Sequence, residues 1–279
     1  MRYSRLWLAF TKFLCTVLLP ACFAGFAHAD ANFIAPTETL IDRLTDIDEP
    51  APGLDGMAAN SGFIGEEDAL QFEGGVLGVP MPNVPPTMRE LARRGAAIMP
   101  QLVAHLSDER KTRLVVGSGD FFMFRYFSNE YDQRDHGPDA PRLIASNMEK
   151  GFNEGYTVKV GDVCYALIGQ IVNRALLPVR YQPSAGLIVN SPIEASSLVE
   201  SVRRDWSNLD AKGLESSLIA DARNTERVWT RDGALVRLRF YFPDEYAVLK
   251  GGELAPKIAD FEAREQKSRA QAEGAAKSR

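Results

Sequence analysis

Cysteine placement sets the hardest limit on what this chain can fold into. Three cysteines are present, Cys15, Cys22 and Cys164. The first two lie in an N-terminal stretch that reads as an export leader. Arg2 and Arg5 precede an apolar run from Leu6 to Phe26, and Ala27-His28-Ala29 supplies the small-x-small pattern of a cleavage site before Asp30. Cleavage there leaves Cys164 alone. A single thiol forms no intramolecular disulfide, so the mature fold must stand on its hydrophobic core. Cys164 sits in the apolar run Val163-Cys164-Tyr165-Ala166-Leu167-Ile168, the setting of a buried, inert thiol rather than a nucleophile.

The leader implies a periplasmic or secreted protein. Leu19-Pro20-Ala21-Cys22 also resembles a lipobox, which would make Cys22 a lipidated first residue. Uncleaved, the segment would act as an anchor. No later segment approaches the length needed to span a bilayer. Removing residues 1–29 leaves 250 residues, enough for one large domain or two small ones. It also removes Arg2, Arg5 and Lys12, taking the net charge from −5 to −8. An acidic exported chain is a poor match for nucleic acid or anionic lipid.

Residues 30–86 form an extended segment rich in proline and glycine, read as a loop wrapping the domain or as a linker. One amphipathic piece interrupts it, with Leu40, Ile41, Leu44 and Ile47 at helical spacing. At Thr87 the pattern changes. Thr87-Met88-Arg89-Glu90 has the form of a capping box, and apolar residues follow at Met88, Leu91, Ala92, Ile98, Leu102, Val103 and Leu106. Gly95 and Pro100 divide this run, so two helices, or one bent helix, are expected across Thr87–Arg94 and Ala96–Ser107.

The stretch from Glu90 to Asp108, with Leu91 and Gly95 closing one helix, Ala96 and Ala97 opening the next, Pro100 inside it, and Leu102 and Leu106 before Asp108, resembles a unit of HEAT-type helical-repeat proteins. The resemblance implies helix-on-helix packing and a surface that serves protein partners. No second copy follows at a period of roughly 40–47 residues. The expected architecture is therefore mainly α: an irregular HEAT-like α-α domain over residues 87–253, with minor β and the long N-terminal loop region ahead of it.

Thr112–Gly117 is short and β-branched and reads as a strand or an extended piece. Phe121, Phe124, Phe127 and Tyr131 fall near helical spacing and read as core, with an aromatic ligand platform as the alternative. Asp162 is the expected N-cap of a helix over Val163–Arg174 that is apolar almost all round. Asp162, Ala166, Gly169 and Asn173 share one line along it, small enough to let another element come close. Ser191-Pro192-Ile193-Glu194 is a second apparent capping box, opening a helix that turns Leu198, Val199, Val202 and Trp206 inward. Asp210 opens another, with Leu214, Leu218 and Ile219. Residues 254–279 are alanine-rich and charged, a frayed helix or disordered tail.

Chemistry-bearing patterns are sparse. Asp132, Asp135, His136 and Asp139 gather carboxylates and an imidazole that could hold a divalent cation, but they lack the EF-hand glycine and the twelfth-position glutamate; a solvated loop is the plainer reading. His105 reads as a histidine at a helix C-terminus, favoured by the helix dipole. Only His105 and His136 remain after export, so a three-histidine zinc site is excluded. Gly117-Ser118-Gly119-Asp120 lacks the spacing of a nucleophile elbow. The richest polar stretch runs from Gln170 to Asn190. Asp162, Asn173, Arg174, Arg180, Tyr181 and Gln182 are its candidate ligand- or partner-binding residues, set against the reading that they form an internal hydrogen-bond network. No cofactor is implied. The function expected is a non-catalytic, exported, helical protein that binds a protein partner in the cell envelope, as scaffold, assembly factor or inhibitor. Two alternatives stand beside it: an exported hydrolase with a carboxylate or metal site, and a small-molecule binding protein.

Overall fold

The helix Val160–Val172 (α4 in chain order) has all thirteen residues buried, with neighbouring helices and a strand packed against it. A computed structural model describes residues 35–54, 63–66, 83–118, 124–132, 148–150, 154–182, 186–224 and 227–277. Among them the chain is mainly helical with a few short strands. The helices are α1 (Thr37–Asp42), α2 (Pro86–Arg93), α3 (Met99–Ala104), α4, α5 (Ser196–Trp206), α6 (Ala211–Arg223), α7 (Val228–Tyr241), α8 (Pro243–Lys250) and α9 (Ala255–Lys277). The strands are β1 (Lys111–Val116), β2 (Phe124–Phe127), β3 (Met148–Lys150), β4 (Tyr156–Lys159), β5 (Val179–Gln182) and β6 (Gly186–Val189). No helix among the described residues is long and apolar enough to cross a membrane.

Two glycines let neighbours come close to α4. A Cβ at Gly161 would lie 2.5 Å from the Leu106 carbonyl oxygen, and one at Gly169 would lie 2.8 Å from that of Arg174. The small line along α4 is used as its residue sizes suggest: Gly53, at φ +84°, comes against Ala166. The N-terminal segment thus contributes core, with Leu40, Ile41, Leu44, Ile47, Ala51, Leu54, Phe63 and Ile64 buried.

Residues 86–107 form short helical pieces. Gly95, at φ +58°, packs under the Tyr241 ring and separates α2 from a 3-10 turn and α3. Met88, Leu91, Ala92, Ile98, Met99, Leu102, Val103 and Leu106 are buried. The expected capping box at Thr87 is absent. Helix α2 starts one residue earlier, at Pro86 with its preset φ, and Glu90 pairs with Arg94 at 3.0 Å instead.

β1 pairs antiparallel with β4 and buries Thr112, Leu114 and Val116 in strict alternation, the period-2 pattern of a strand with one covered face. The other sheet has the order β3-β2-β6-β5, with β2 and β6 parallel and the outer pairs antiparallel. Here the aromatic segment departs from expectation. Phe124 to Phe127 form a half-buried strand, not a helical core face. Aromatics three apart satisfy a helical pattern, but cross-strand pairing of β2 with β3 and β6 decides the conformation. Phe121 lies outside the described residues.

The second expected capping box is also replaced. Ser191 holds a turn over Pro192–Glu194, accepting from the Ile193 N–H at 3.0 Å, and α5 begins only at Ser196. Leu198, Val199 and Val202 do turn inward, whereas Trp206 is half-buried. Asp210 caps α6 as expected, accepting from the Gly213 N–H at 2.7 Å. The charged C-terminal stretch is the 23-residue helix α9. Leu254, Ile258 and Phe261 bury one stripe at helical spacing. Arg264 to Asp232 at 2.9 Å and Glu265 to Arg239 at 2.7 Å then tie α9 to α7.

Candidate functional site

The six candidate residues do not converge on one site. Asp162 lies in the first turn of α4 and Asn173 just past its last residue, about 16 Å apart at 1.5 Å rise per residue.

Asp162 is not the N-cap but the third helical residue. Lys159 is the N-cap, and its N–H donates to Asp162 Oδ2 at 2.9 Å. The next two N–H groups, of Val160 and Gly161, donate to the carbonyls of Arg110 and Asp108. The Tyr156 hydroxyl donates to Asp162 Oδ2 at 2.9 Å and the Ser191 hydroxyl to Oδ1. Burial pushes the carboxyl up to about 6, against the opposing effect of these hydrogen bonds. Lys159 turns outward to Glu194 at 2.8 Å.

At the other end, Asn173 takes the left-handed conformation that ends α4, at φ +58°. Its Nδ2 donates to Asp221 Oδ2 at 2.8 Å and to the Thr230 carbonyl at 2.9 Å. Its Oδ1 accepts from Arg237 at 3.1 Å. Arg237, 4% exposed, also donates to the carbonyls of Gln170 and Gly233. Arg174 pairs with Asp221 at 2.5 Å and with Asp132 at 3.5 Å, and lies over the Trp206 ring. This network joins α4 to α6 and α7. Asp221, Thr230 and Arg237 are its essential partners, and the sequence marked none of them.

Arg180, on β5, pairs with Glu130 at 2.5 Å. Asn190 Nδ2 donates to the Glu130 carbonyl at 2.8 Å. The Tyr165 hydroxyl, on α4, lies next to Asn190. Tyr165 OH, Asn190 Oδ1 and Arg180 Nε are buried without a partner of hydrogen-bonding geometry. Tyr181 is half-buried on β5, while the Gln182 side chain lies outside the described residues. Of the acidic cluster, Asp132 is structural: it accepts from the Ala175 N–H at 3.1 Å at φ +44°. Asp135, His136 and Asp139 lie outside the described residues, as do residues 1–29 and Gly119-Asp120.

His105 stands at a helix C-terminus as expected, as the C-cap of α3. It stands between two carboxylates, Asp108 and Glu38. A shallow cleft is lined by Ser107, Glu109, Pro192, Ile193, Val199 and Arg203, among others, with neither a buried charge nor a convergent set of donors. The feature that sequence reasoning missed is on α7. Trp229 is 71% exposed and Val228 is 42% exposed in its first turn. Their signal in the sequence is a large aromatic inside the polar run Asn224 to Asp232. No protein family, curated protein or solved structure matches the chain.

Proposed function

We propose that the protein is an exported binding protein of the cell envelope that holds a protein partner through the first turn of α7, with Trp229 as the anchor. The exposure of Trp229 carries this reading. Tryptophan is enriched among the few residues that dominate interface energies, because it desolvates a large area while losing few rotamers. The helix beneath it is firmly held. Thr230, Asp232 and Ala234 are buried, and Arg231 and Arg264 both pair with Asp232. A rigid platform lowers the ordering cost of association. The stretch that resembles a HEAT unit spends its apolar face on the core, so α7 rather than that stretch offers the contact surface. The leader-like N-terminus supports the envelope location.

The test is capture of the tagged full-length chain by gentle cross-linking in its own cells, with Trp229→Ala alongside. One partner in near-equal amount with the wild type, lost in W229A at unchanged melting temperature, is the expected result. The same captured set from both proteins, or no partner from either, overturns it.

A second reading has one observation in its favour. The buried Asn190 Oδ1 and Arg180 Nε, which find no partner, suit a small polar ligand, since such atoms are costly when unsatisfied. A thermal-shift screen of small polar compounds tests it, because a ligand of the native state raises the melting temperature. No shift with any compound removes it.

A further inference from the structure

We infer that His105 is a proton-operated clasp, holding α1 to the turn before β1 when its imidazole is doubly protonated and loosening α1 when it is neutral. The geometry carries this. His105 Nδ1 is 2.9 Å from Asp108 Oδ2, and Nε2 is 2.9 Å from Glu38 Oε2. Both oxygens are acceptors. A neutral imidazole has one N–H and one bare lone pair, so it satisfies only one of them and sets its lone pair against the other. Only the imidazolium donates to both. Glu38 is on α1 and His105 in the 3-10 turn Ser107 closes, so the proton joins two separate elements.

The charged groups around the clasp single out the histidine as its mobile part. Arg110 grips Asp108 at 2.7 Å and reaches Asp42 on α1 at 2.6 Å. Arg94, just past the end of α2 and itself paired with Glu90, donates to Thr37 Oγ1 at 3.0 Å. Arg113 pairs with Asp46 at 3.1 Å. These guanidinium links do not titrate near neutral pH. From α4, the Cys164 thiol is held neutral by burial. Asp162 titrates in a neighbouring range, so a variant must separate its effect from that of His105. Asp108 stays ionised: burial opposes this, but Arg110 and His105 bring its carboxyl down to about 2.

For His105 itself, burial works against the charge, but the hydrogen bonds to Asp108 and Glu38 outweigh it, and the pKa is raised above 6.5. A raised folded-state value means that the clasp is complete below pH 6.5 and is lost as pH rises through the raised value. Leu40, Ile41 and Leu44 remain buried anchors, so α1 loosens rather than detaches.

Amide exchange of the full-length chain tests the inference, after correction for the intrinsic pH dependence of exchange. Between about pH 6 and about pH 8.5, protection of residues 37–46 should fall roughly five- to tenfold relative to α6, the scale of a half-exposed charged hydrogen bond. In His105→Gln the fall should vanish, while any effect of Asp162 persists. Equal protection of the wild type at both pH values, or an undiminished fall in H105Q, overturns the proposal. An NMR titration of the His105 ring gives a readout independent of that variant. A ring pKa at or below 6.5, or one unmoved by Glu38→Gln, overturns it as well.

Discussion

The Tyr156 hydroxyl and the Asp162 carboxylate are joined at 2.9 Å, with Asp162 wholly buried in the first turn of α4. The carboxylate receives three donors, from Tyr156, Ser191 and the Lys159 backbone. Burial still raises it to about 6 from an ordinary 3.8. The folded state therefore takes up a proton more readily than the unfolded chain between these values. Stability from this group is complete below pH 3.8 and declines until pH passes about 6, a loss on the order of 3 kcal/mol. Asp162→Asn keeps an acceptor for Tyr156 and Lys159 and can donate to Ser191. Its denaturant-derived stability should lack this decline, so the wild-type stability minus that of D162N should fall as pH rises from 3.8 through about 6. Asp162→Ala should instead lose about 3 kcal/mol or more, because three buried donors are stranded. Parallel pH curves for wild type and D162N would contradict the assignment.

Asn173 makes a different prediction because two effects can be separated there. Its side chain joins Asp221, Thr230 and Arg237, and its backbone is left-handed. Asn173→Ala loses the hydrogen bonds and also strains the backbone; Asn173→Gly loses the hydrogen bonds alone. Both should be destabilised, by roughly 2–4 kcal/mol, with the alanine variant worse by about 1 kcal/mol. Urea unfolding of both variants measures this. Equal losses would mean that the side-chain network alone accounts for the effect.

These two residues also show where the sequence was legible. Helix α4 announces itself because it is apolar on every face, and the burial of Leu40, Ile41, Leu44 and Ile47 follows from their spacing. Alternation marks β1, and Asp210 marks the start of α6. Local patterns misled where two conformations share one pattern. Phe124 and Phe127 fit a helix until β2 is paired with β6, and Ser191 to Glu194 has the composition of a cap while forming a turn. Of the polar candidates, Asp162 and Asn173 are buried members of internal networks, yet they share a helix line without sharing a site. The partners of Asn173, at Asp221, Thr230 and Arg237, lie dozens of residues away, and no local signal specifies such contacts.

The C-terminal helix gives a sharper test, since composition alone marks it as a tail. Phe261 is 1% exposed, and beyond Glu265 the described side chains are mostly exposed. Phe261→Ala should cost about 3–4 kcal/mol by emptying a buried aromatic site. Ending the chain after Lys267 should change stability by no more than about 0.5 kcal/mol, because the described side chains beyond it are exposed or half-exposed. Thermal and chemical unfolding of the two variants decide it. A stable F261A would show that α9 does not belong to the cooperative core.

Cys164 offers the most direct probe of that core. It is fully buried on α4, and burial pushes its thiol pKa well up. Thiol reagents attack the thiolate, and here both the charge and the access route are denied. Modification should therefore wait for the fold to open. In native buffer, the Cys164 peptide followed by mass spectrometry should remain unlabelled over hours in a disulfide-exchange reagent. Its labelling rate should rise with denaturant along the slope of global unfolding, because α4 cannot be exposed piecemeal. Cys164→Ser should cost about 1–3 kcal/mol, the penalty for a hydroxyl in an apolar site. Cys164→Ala should cost less. Labelling within minutes at neutral pH, with the rest of the chain still folded, would mean that α4 breathes independently of the elements packed against it.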